Sequence, residues 1–255
     1  MCPSLDLMNK PYLNYLMEPG AAWFNPCYGI NGFWSELRAL QKKMPDKDFQ
    51  YVWNHRDLQG SREILATAIV AKATQMQNPN QQWWIQKPKQ DPPDGVMGTI
   101  LNTDGYDKMH VREVEVVEYI RGDIIDTIKN KLHKKSYEPN TVLVCYLSGA
   151  SGLYDLEKMS KEIIAEETSL DHVFLVFMGT LASEVKTEGT SEEVARSLFK
   201  YSSVQLNPVF SVQTIDPISD CENWRSGAEA NFFIFEGRGK SGVRPIKLDS
   251  PPKLF

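Results

Sequence analysis

Two uninterrupted apolar runs constrain the fold of this chain more than any other feature. They are Thr141–Leu147 (TVLVCYL) and His172–Met178 (HVFLVFM). A strand without polar alternation is buried on both faces, which is typical of parallel strands covered by helices. A helical pattern separates the runs, with Leu156, Met159 and Ile163 at helical spacing. The order strand, helix, strand predicts an α/β fold with a central mixed sheet flanked by helices.

The chain before these runs predicts a buried helix and then a β-hairpin. Residues 62–76 (REILATAIVAKATQM) are apolar almost all round, and Ser61 is the expected N-cap of this helix. Val96–Leu101 and Met109–Ile120 are strand-like segments on either side of a turn. The turn contains Asp104-Gly105, a pair that tolerates positive φ.

Length, charge and hydropathy limit the possible classes of protein. The 255 residues predict a single domain, with an N-terminal decoration over 1–59, a core over 60–205 and a C-terminal extension over 206–255. Both decorations are expected to be irregular, apart from a short amphipathic helix from Gly32 to Met44 and a late strand over 231–235. Within the core, a capping box of Thr190 and Glu193 predicts a helix that continues to Tyr201. The net charge of −5 gives no overall basic signature for nucleic acid. No apolar stretch approaches the roughly 18 residues that span a bilayer, and no signal peptide is recognisable, so we expect no membrane contact.

The patterns of cysteine and histidine argue against a disulfide-stabilised protein and against a zinc protein. Cys2, Cys27, Cys145 and Cys221 show no CxxC pairing and no regular spacing, which indicates a reducing compartment and a cytoplasmic protein. Cys145 lies within an apolar run, which predicts a buried thiol. The four histidines lack the spacing of zinc ligands.

Three carboxylates are predicted to meet at the hairpin. Glu113 and Glu115 share one face of a strand, whereas Glu118 lies on the other face and is expected at the surface or strand end. Asp94 begins the preceding strand, and a hairpin register can bring it beside Glu113. Carboxylates held this close repel, and a divalent cation removes that cost. Because oxygen ligands select hard ions, we expect Asp94 and Glu113 to bind Mg²⁺ or Mn²⁺.

These residues resemble the motif of the PD-(D/E)xK nuclease superfamily. Pro93-Asp94 matches the PD element, and Glu113-Val114-Glu115 follows it as the (D/E)xK element. The resemblance covers roughly residues 60–180 and implies a restriction-endonuclease-like core. In this family the helix before the hairpin often donates an acidic residue, which implies a role for Glu63.

The resemblance implies Mg²⁺-dependent hydrolysis of DNA, as in a restriction or other defence endonuclease. Asp94, Glu113, Glu115 and Glu63 are then the expected catalytic residues. Glu115 replaces the lysine of the family and would act as a general base or a further metal ligand, as in the minority of restriction endonucleases with Glu-x-Glu. A lysine just before the motif would supply the missing cation, and the candidates are Lys87 and Lys89.

A basic run closes the predicted helix Asp123–Lys134. It comprises Lys129, Lys131, Lys134 and Lys135. These lysines, with Lys87 and Lys89, are candidate DNA-binding residues, and a solvated face near a helix C-terminus is an equal alternative. The expected substrate is double-stranded DNA, which a homodimer would match by symmetry.

Two other functions remain open from the sequence. Loss of the family lysine favours a catalytically inactive nuclease fold that binds DNA or a protein partner. Paired carboxylates also occur in enzymes that hydrolyse glycosides, which need no metal. Dependence on a divalent ion separates the nuclease from both alternatives.

Overall fold

The computed structural model describes most of the chain between residues 22 and 221. The described residues are 22–89, 92–103, 106–134, 137–138, 140–148, 154–166, 170, 172–179, 188–190, 200–221, 232–234 and 254. The helices are α1 (Pro26–Lys43), α2 (Phe49–Trp53), α3 (Gln59–Gln77), α4 (Ile124–Lys134) and α5 (Leu156–Ile164). The strands are β1 (Ala22–Phe24), β2 (Trp83–Gln86), β3 (Gly95–Thr103), β4 (Tyr106–Tyr119), β5 (Thr141–Leu147), β6 (His172–Met178), β7 (Tyr201–Asn207), β8 (Ser211–Ile215) and β9 (Phe232–Ile234).

The described strands form one mixed sheet in the order β8-β7-β6-β5-β4-β3-β2-β1-β9. The central strands β4, β5 and β6 are parallel, and their neighbours on both sides pair antiparallel. Helices connect the parallel strands, because a parallel pair needs a crossover connection. The predicted α/β class, with a mixed sheet flanked by helices, is therefore confirmed. The two apolar runs are β5 and β6, with the predicted bounds.

Alternation along the strands sends side chains into two separate cores. On one face Val114 packs with Ile69 and other residues of α3. On the opposite face Leu143 packs with Ile128 of α4 and Ile163 of α5. Residues 113, 115 and 117 of β4 consequently face α4, whereas 114, 116 and 118 face α3. This division decides which charged residues can meet.

Two glycines allow α3 to approach its neighbours closely. The side chain of Thr67 fills the space that a Cβ on Gly95 would occupy, so α3 lies directly on the start of β3. A Cβ on Gly29 would lie 2.9 Å from Ala68 Cβ and 2.6 Å from Ile85 Cδ1, so α1 packs against α3 in the same way. The N-terminal half of α3 is thereby fixed behind the hairpin.

The N-terminal segment is more regular than the sequence predicted. A helix was expected only from Gly32, but α1 begins at Pro26, where Asn25 accepts a hydrogen bond from the amide of Cys27 at 2.9 Å. Proline is common at the first position of a helix but adds nothing to a pattern of apolar spacing, so that pattern does not reveal the start of α1. Ser61 is not an N-cap, because a turn of 3₁₀-helix leads directly into α3 at Gln59.

Residues after 200 also differ from expectation. Tyr201 begins strand β7, although a helix was predicted to continue to this residue; residues 191–199 lie outside the described part of the chain. The late strand expected over 231–235 is β9, whereas β8 is a strand of the sheet that the sequence did not predict.

Glu118 lies next to the end of β4, which is one of its two predicted places, and it is partly buried. Its carboxylate binds the guanidinium group of Arg62 on α3, with Nε–Oε1 and Nη2–Oε2 distances of 2.8 and 3.1 Å. The Arg62 side chain is only 5% exposed and also donates to the carbonyls of Trp53 at 2.7 Å and His55 at 3.0 Å. This pair ties α3 to β4 and to the chain before α3.

The predicted burial of Cys145 is confirmed, but two other cysteines are paired. Cys145 is fully buried, and burial raises the pKa of its thiol to about 12. Cys27 and Cys221, however, form a disulfide that joins the start of α1 to the turn after β8. This pairing gives no support to the expected reducing compartment. Among the described helices, none is long and apolar enough to cross a membrane.

Candidate active site around Glu115

The register of the β3–β4 hairpin places Asp94 opposite Glu115. Gly95 pairs with Val114 and Val96 pairs with Glu113. Continued by one residue beyond the last pair, this register brings Asp94 level with Glu115, and Glu113 is then its diagonal neighbour two positions along β4. Glu113 and Glu115 do share the predicted face, and Glu113 is partly buried next to β5.

Asp94 is held by the backbone of β4. Its Oδ2 accepts a hydrogen bond from the amide of Val116 at 2.7 Å. Because β3 begins at Gly95, the Asp94 side chain supplies the acceptor that one more strand residue would have supplied. A carboxylate accepts several hydrogen bonds, so this contact orients Asp94 and leaves it able to bind other groups.

Glu115 is buried against a lysine from the following helix. Its side chain is 7% exposed, and Oε2 lies 3.7 Å from Nζ of Lys131, whose side chain is 34% exposed. The crossover from β4 through α4 to β5 brings the two residues together. Lys131 is one of the candidate DNA-binding lysines, and it lies on the same face of α4 as Ile124 and Ile128, which point inward. The helical spacing of these three residues is the sequence signal that could have placed Lys131 beside the sheet.

Tyr137 completes the group, and no sequence motif indicated it. The residue is 6% exposed and lies between α4 and β5, with its hydroxyl 3.5 Å from the carbonyl oxygen of Lys131. Burial, with the negative charges of Glu115 and Asp94, raises the pKa of this phenol to about 12. Tyr137 therefore keeps its proton and remains a hydrogen-bond donor at neutral pH. We call Asp94, Glu115, Lys131 and Tyr137 the Glu115 site.

Asp94 and Glu115 are the two carboxylates of the Glu115 site that could hold a divalent ion. Among the described residues, no three His, Cys, Asp or Glu side chains are close enough to hold a metal together. Magnesium commonly binds one or two carboxylates and completes its shell with water and phosphate oxygens. Asp94 and Glu115 supply such a pair, and all their donor atoms are oxygens, as Mg²⁺ and Mn²⁺ prefer.

Glu63 and Lys87 lie on the other face of the sheet. Lys87 Nζ and Glu63 Oε2 are 3.6 and 3.9 Å from the position of a Cβ on Gly60 in α3. Glu63 also accepts a hydrogen bond from Gln59 at 3.1 Å. The structure thus brings these two predicted site residues together beside the first turn of α3.

The basic run is divided between different partners. Lys129 lies 2.9 Å from Glu166, which His133 also approaches at 3.2 Å. The hydrogen bond with Glu166 raises the pKa of Lys129 and lowers that of Glu166. Lys89 is exposed between β2 and β3, whereas the Lys134 side chain and Lys135 lie outside the described residues.

Comparison of the chain with protein-family models, curated proteins and solved structures found no match. Any functional assignment therefore depends on the residues and their geometry.

Proposed function

We propose that this protein is a divalent-metal-dependent nuclease that hydrolyses DNA phosphodiester bonds at the Glu115 site. The observation that supports it most is the meeting of the Glu115 carboxylate with Lys131, 3.7 Å away, opposite Asp94. The element order is the second support. Helix α3, strands β2 to β4, helix α4 and strand β5 follow the order that the resemblance to PD-(D/E)xK nucleases implies.

In this proposal Asp94 and Glu115 would hold Mg²⁺ or Mn²⁺, and Glu113, on the same face of β4, would be a further carboxylate beside them. The ion, when bound, would supply neutralisation of charge on the phosphate and a more acidic water. Glu115 accepts the proton of the attacking water or orients that water, as expected of a carboxylate at this position.

Lys131 takes the place of the lysine that the motif lacks. The sequence has Glu115 where the family has lysine, and Lys87 and Lys89 were the expected substitutes. An ammonium group beside Glu115 stabilises the carboxylate in the free protein and is positioned to stabilise negative charge on the reacting phosphate. Tyr137 keeps its proton and donates it to the carbonyl oxygen of Lys131, which helps to hold this end of α4 beside Glu115.

Incubation of the purified protein with end-labelled DNA tests the proposal. Single-stranded and duplex DNA are supplied together, with Mg²⁺, with Mn²⁺ or with EDTA. We expect cleavage with either ion, none with EDTA, and loss of cleavage in Asp94→Asn. Cleavage that persists in EDTA, or in Asp94→Asn at the wild-type rate, contradicts it.

A catalytically inactive nuclease fold is the second candidate. It is favoured by the protein contacts of both carboxylates, since Asp94 binds the Val116 amide and Glu115 binds Lys131. Such a protein binds DNA or a protein without cutting under any divalent ion. The same incubation, followed by a gel-shift measurement, separates the two functions.

A further inference from the structure

A cavity of about 390 Å³ lies between α4 and α5, and none of the four residues of the Glu115 site lines it. Tyr119 ends β4, and Tyr154 and Asp155 lie at the start of α5, so this α4–α5 cavity opens at the carboxyl ends of the parallel strands. In open α/β sheets, ligands commonly bind outside these ends. Its volume falls within the range of sites for small molecules, about 300–1,000 Å³.

Aromatic and aliphatic side chains form part of the cavity wall. Tyr119 and Tyr154 contribute rings, and Ile125 and Met159 contribute aliphatic surface. Tyr119 is 8% exposed, and its hydroxyl donates a hydrogen bond to the carbonyl oxygen of Gly122, which fixes the ring. Tyr154 is 39% exposed, so an apolar group in the cavity would remove part of its surface from water. The wall therefore fits a ligand with an apolar body.

The two lysines of the wall are each paired with a glutamate. Lys129 lies 2.9 Å from Glu166, and Lys158 lies 3.9 Å from Glu162. Their positive charge is thus balanced by side chains of the protein itself. The cavity consequently offers an anionic ligand little net attraction.

Three aspartates of the wall have no such balance. Within the described part of the chain, Asp123, Asp126 and Asp155 form no ion pair. Asp123 and Asp155 accept hydrogen bonds from the amides of Asp126 at 2.9 Å and Lys158 at 3.0 Å. These bonds occupy amides at the helix starts that would otherwise attract an anion, and the carboxylates keep their charge. The polar part of the wall therefore favours a cation.

We propose that the α4–α5 cavity binds a small organic cation, which carries an ammonium group on an aromatic or aliphatic body. The ammonium group lies among Asp123, Asp126 and Asp155, and the body packs against the rings of Tyr119 and Tyr154. A tyrosine ring also attracts a cation through its π-electrons. The net charge of −5 favours the approach of such a ligand. This inference does not depend on the proposed nuclease function.

Three probes that share one body and differ in charge test the inference. They are phenethylamine, 2-phenylethanol and 3-phenylpropanoate, and their binding is measured by isothermal titration calorimetry at low salt. We expect phenethylamine to bind with a Kd of about 1 mM or below, at least about 10-fold more tightly than the alcohol, and the anion to bind most weakly. The inference is overturned if the alcohol or the anion binds as tightly as the amine, or if the amine does not bind at about 10 mM.

Charge-removing variants test the location. Asp126→Asn and Asp155→Asn should each weaken phenethylamine binding about 3- to 10-fold and leave 2-phenylethanol binding unchanged. Asparagine at position 155 still caps α5, so the fold is retained, which circular dichroism checks. Asp46→Asn, at an exposed aspartate outside the wall, is the control and should bind the amine as the wild type does. Unchanged affinity in both cavity variants, or an equal loss in the control, contradicts the assigned site.

Discussion

The ammonium group of Lys131 lies 3.7 Å from the carboxylate of Glu115, although one residue belongs to α4 and the other to β4. Glu115 is almost completely buried, and Lys131 covers it from the solvent side. A buried carboxylate beside a cation is costly to maintain unless the pair stabilises the fold or serves chemistry.

Replacing Lys131 tests whether the cation acts in the reaction. We expect Lys131→Gln to reduce the rate of DNA cleavage about 10²-fold, because the ammonium group no longer stabilises charge on the phosphate. Lys131→Arg keeps the charge and should retain part of the activity. Lys129→Gln is the matched control on the same helix, since Lys129 pairs with Glu166. An equal loss in both glutamine variants would assign Lys131 to structure alone.

Arg62 is predicted to stabilise the fold without acting in cleavage. Arg62→Gln leaves the partly buried Glu118 and two backbone carbonyls without their partner, so the free energy of unfolding should fall by about 3–5 kcal/mol. Arg56→Gln, at a side chain 92% exposed, should change it by less than about 1 kcal/mol. Urea unfolding of the three proteins measures both values. A similar stability of the two variants would contradict the assigned role of Arg62.

Much of the fold could be predicted from the sequence because its central strands are unusually apolar. Thr141–Leu147 and His172–Met178 have no polar alternation, and burial leaves such segments few alternatives. Strand β7 could not be recognised in the same way. Its sequence, YSSVQLN, mixes polar with apolar residues, and the serines are buried by tertiary packing.

The candidate site could be predicted only in part. Asp94 and Glu115 follow from the motif, because alternation along a strand fixes their faces. Their mutual register does not follow from the motif, because it is set by the turn: Thr103 pairs with Tyr106, and this register brings Asp94 level with Glu115 and not with Glu113. Tyr137 was missed because it joins the site through the α4–β5 connection, which has no periodic pattern.

The disulfide between Cys27 and Cys221 is predicted to contribute substantially to stability. It closes a loop of 194 residues, and a cross-link of that span restricts the unfolded chain strongly. We expect the double variant Cys27→Ser/Cys221→Ser to lose about 2–5 kcal/mol in the free energy of unfolding under non-reducing conditions. Dithiothreitol should destabilise the wild type and leave the double variant unchanged. Wild type unaffected by reductant would show that the two thiols are unpaired in solution.

His172 should make the fold less stable in mild acid. Burial lowers its pKa to about 4, and the positive charges of Arg112 and His110 add to this effect. In the unfolded chain His172 binds a proton near pH 6.5, whereas in the folded protein it does so only near pH 4. The contribution of neutral His172 to the free energy of unfolding is therefore complete above pH 6.5 and is lost as the pH falls toward 4.

Between pH 7 and pH 5 the wild type should lose about 2 kcal/mol more than His172→Gln. Urea unfolding at the two pH values measures the difference. Titration of the His172 ring by NMR provides an independent check. A midpoint near 6.5 in the folded protein would contradict the prediction.

Replacing Glu115 by glutamine tests whether this carboxylate acts in cleavage. The substitution keeps the shape of the side chain but removes its charge and basicity, and single-turnover cleavage of labelled DNA with Mn²⁺ or Mg²⁺ is measured. Glu138→Gln, at a nearby exposed glutamate, is the control. We expect the rate to fall by about 10²-fold or more for Glu115→Gln, with circular dichroism unchanged and Glu138→Gln fully active. Cleavage by Glu115→Gln at the wild-type rate would show that Glu115 takes no part in the reaction.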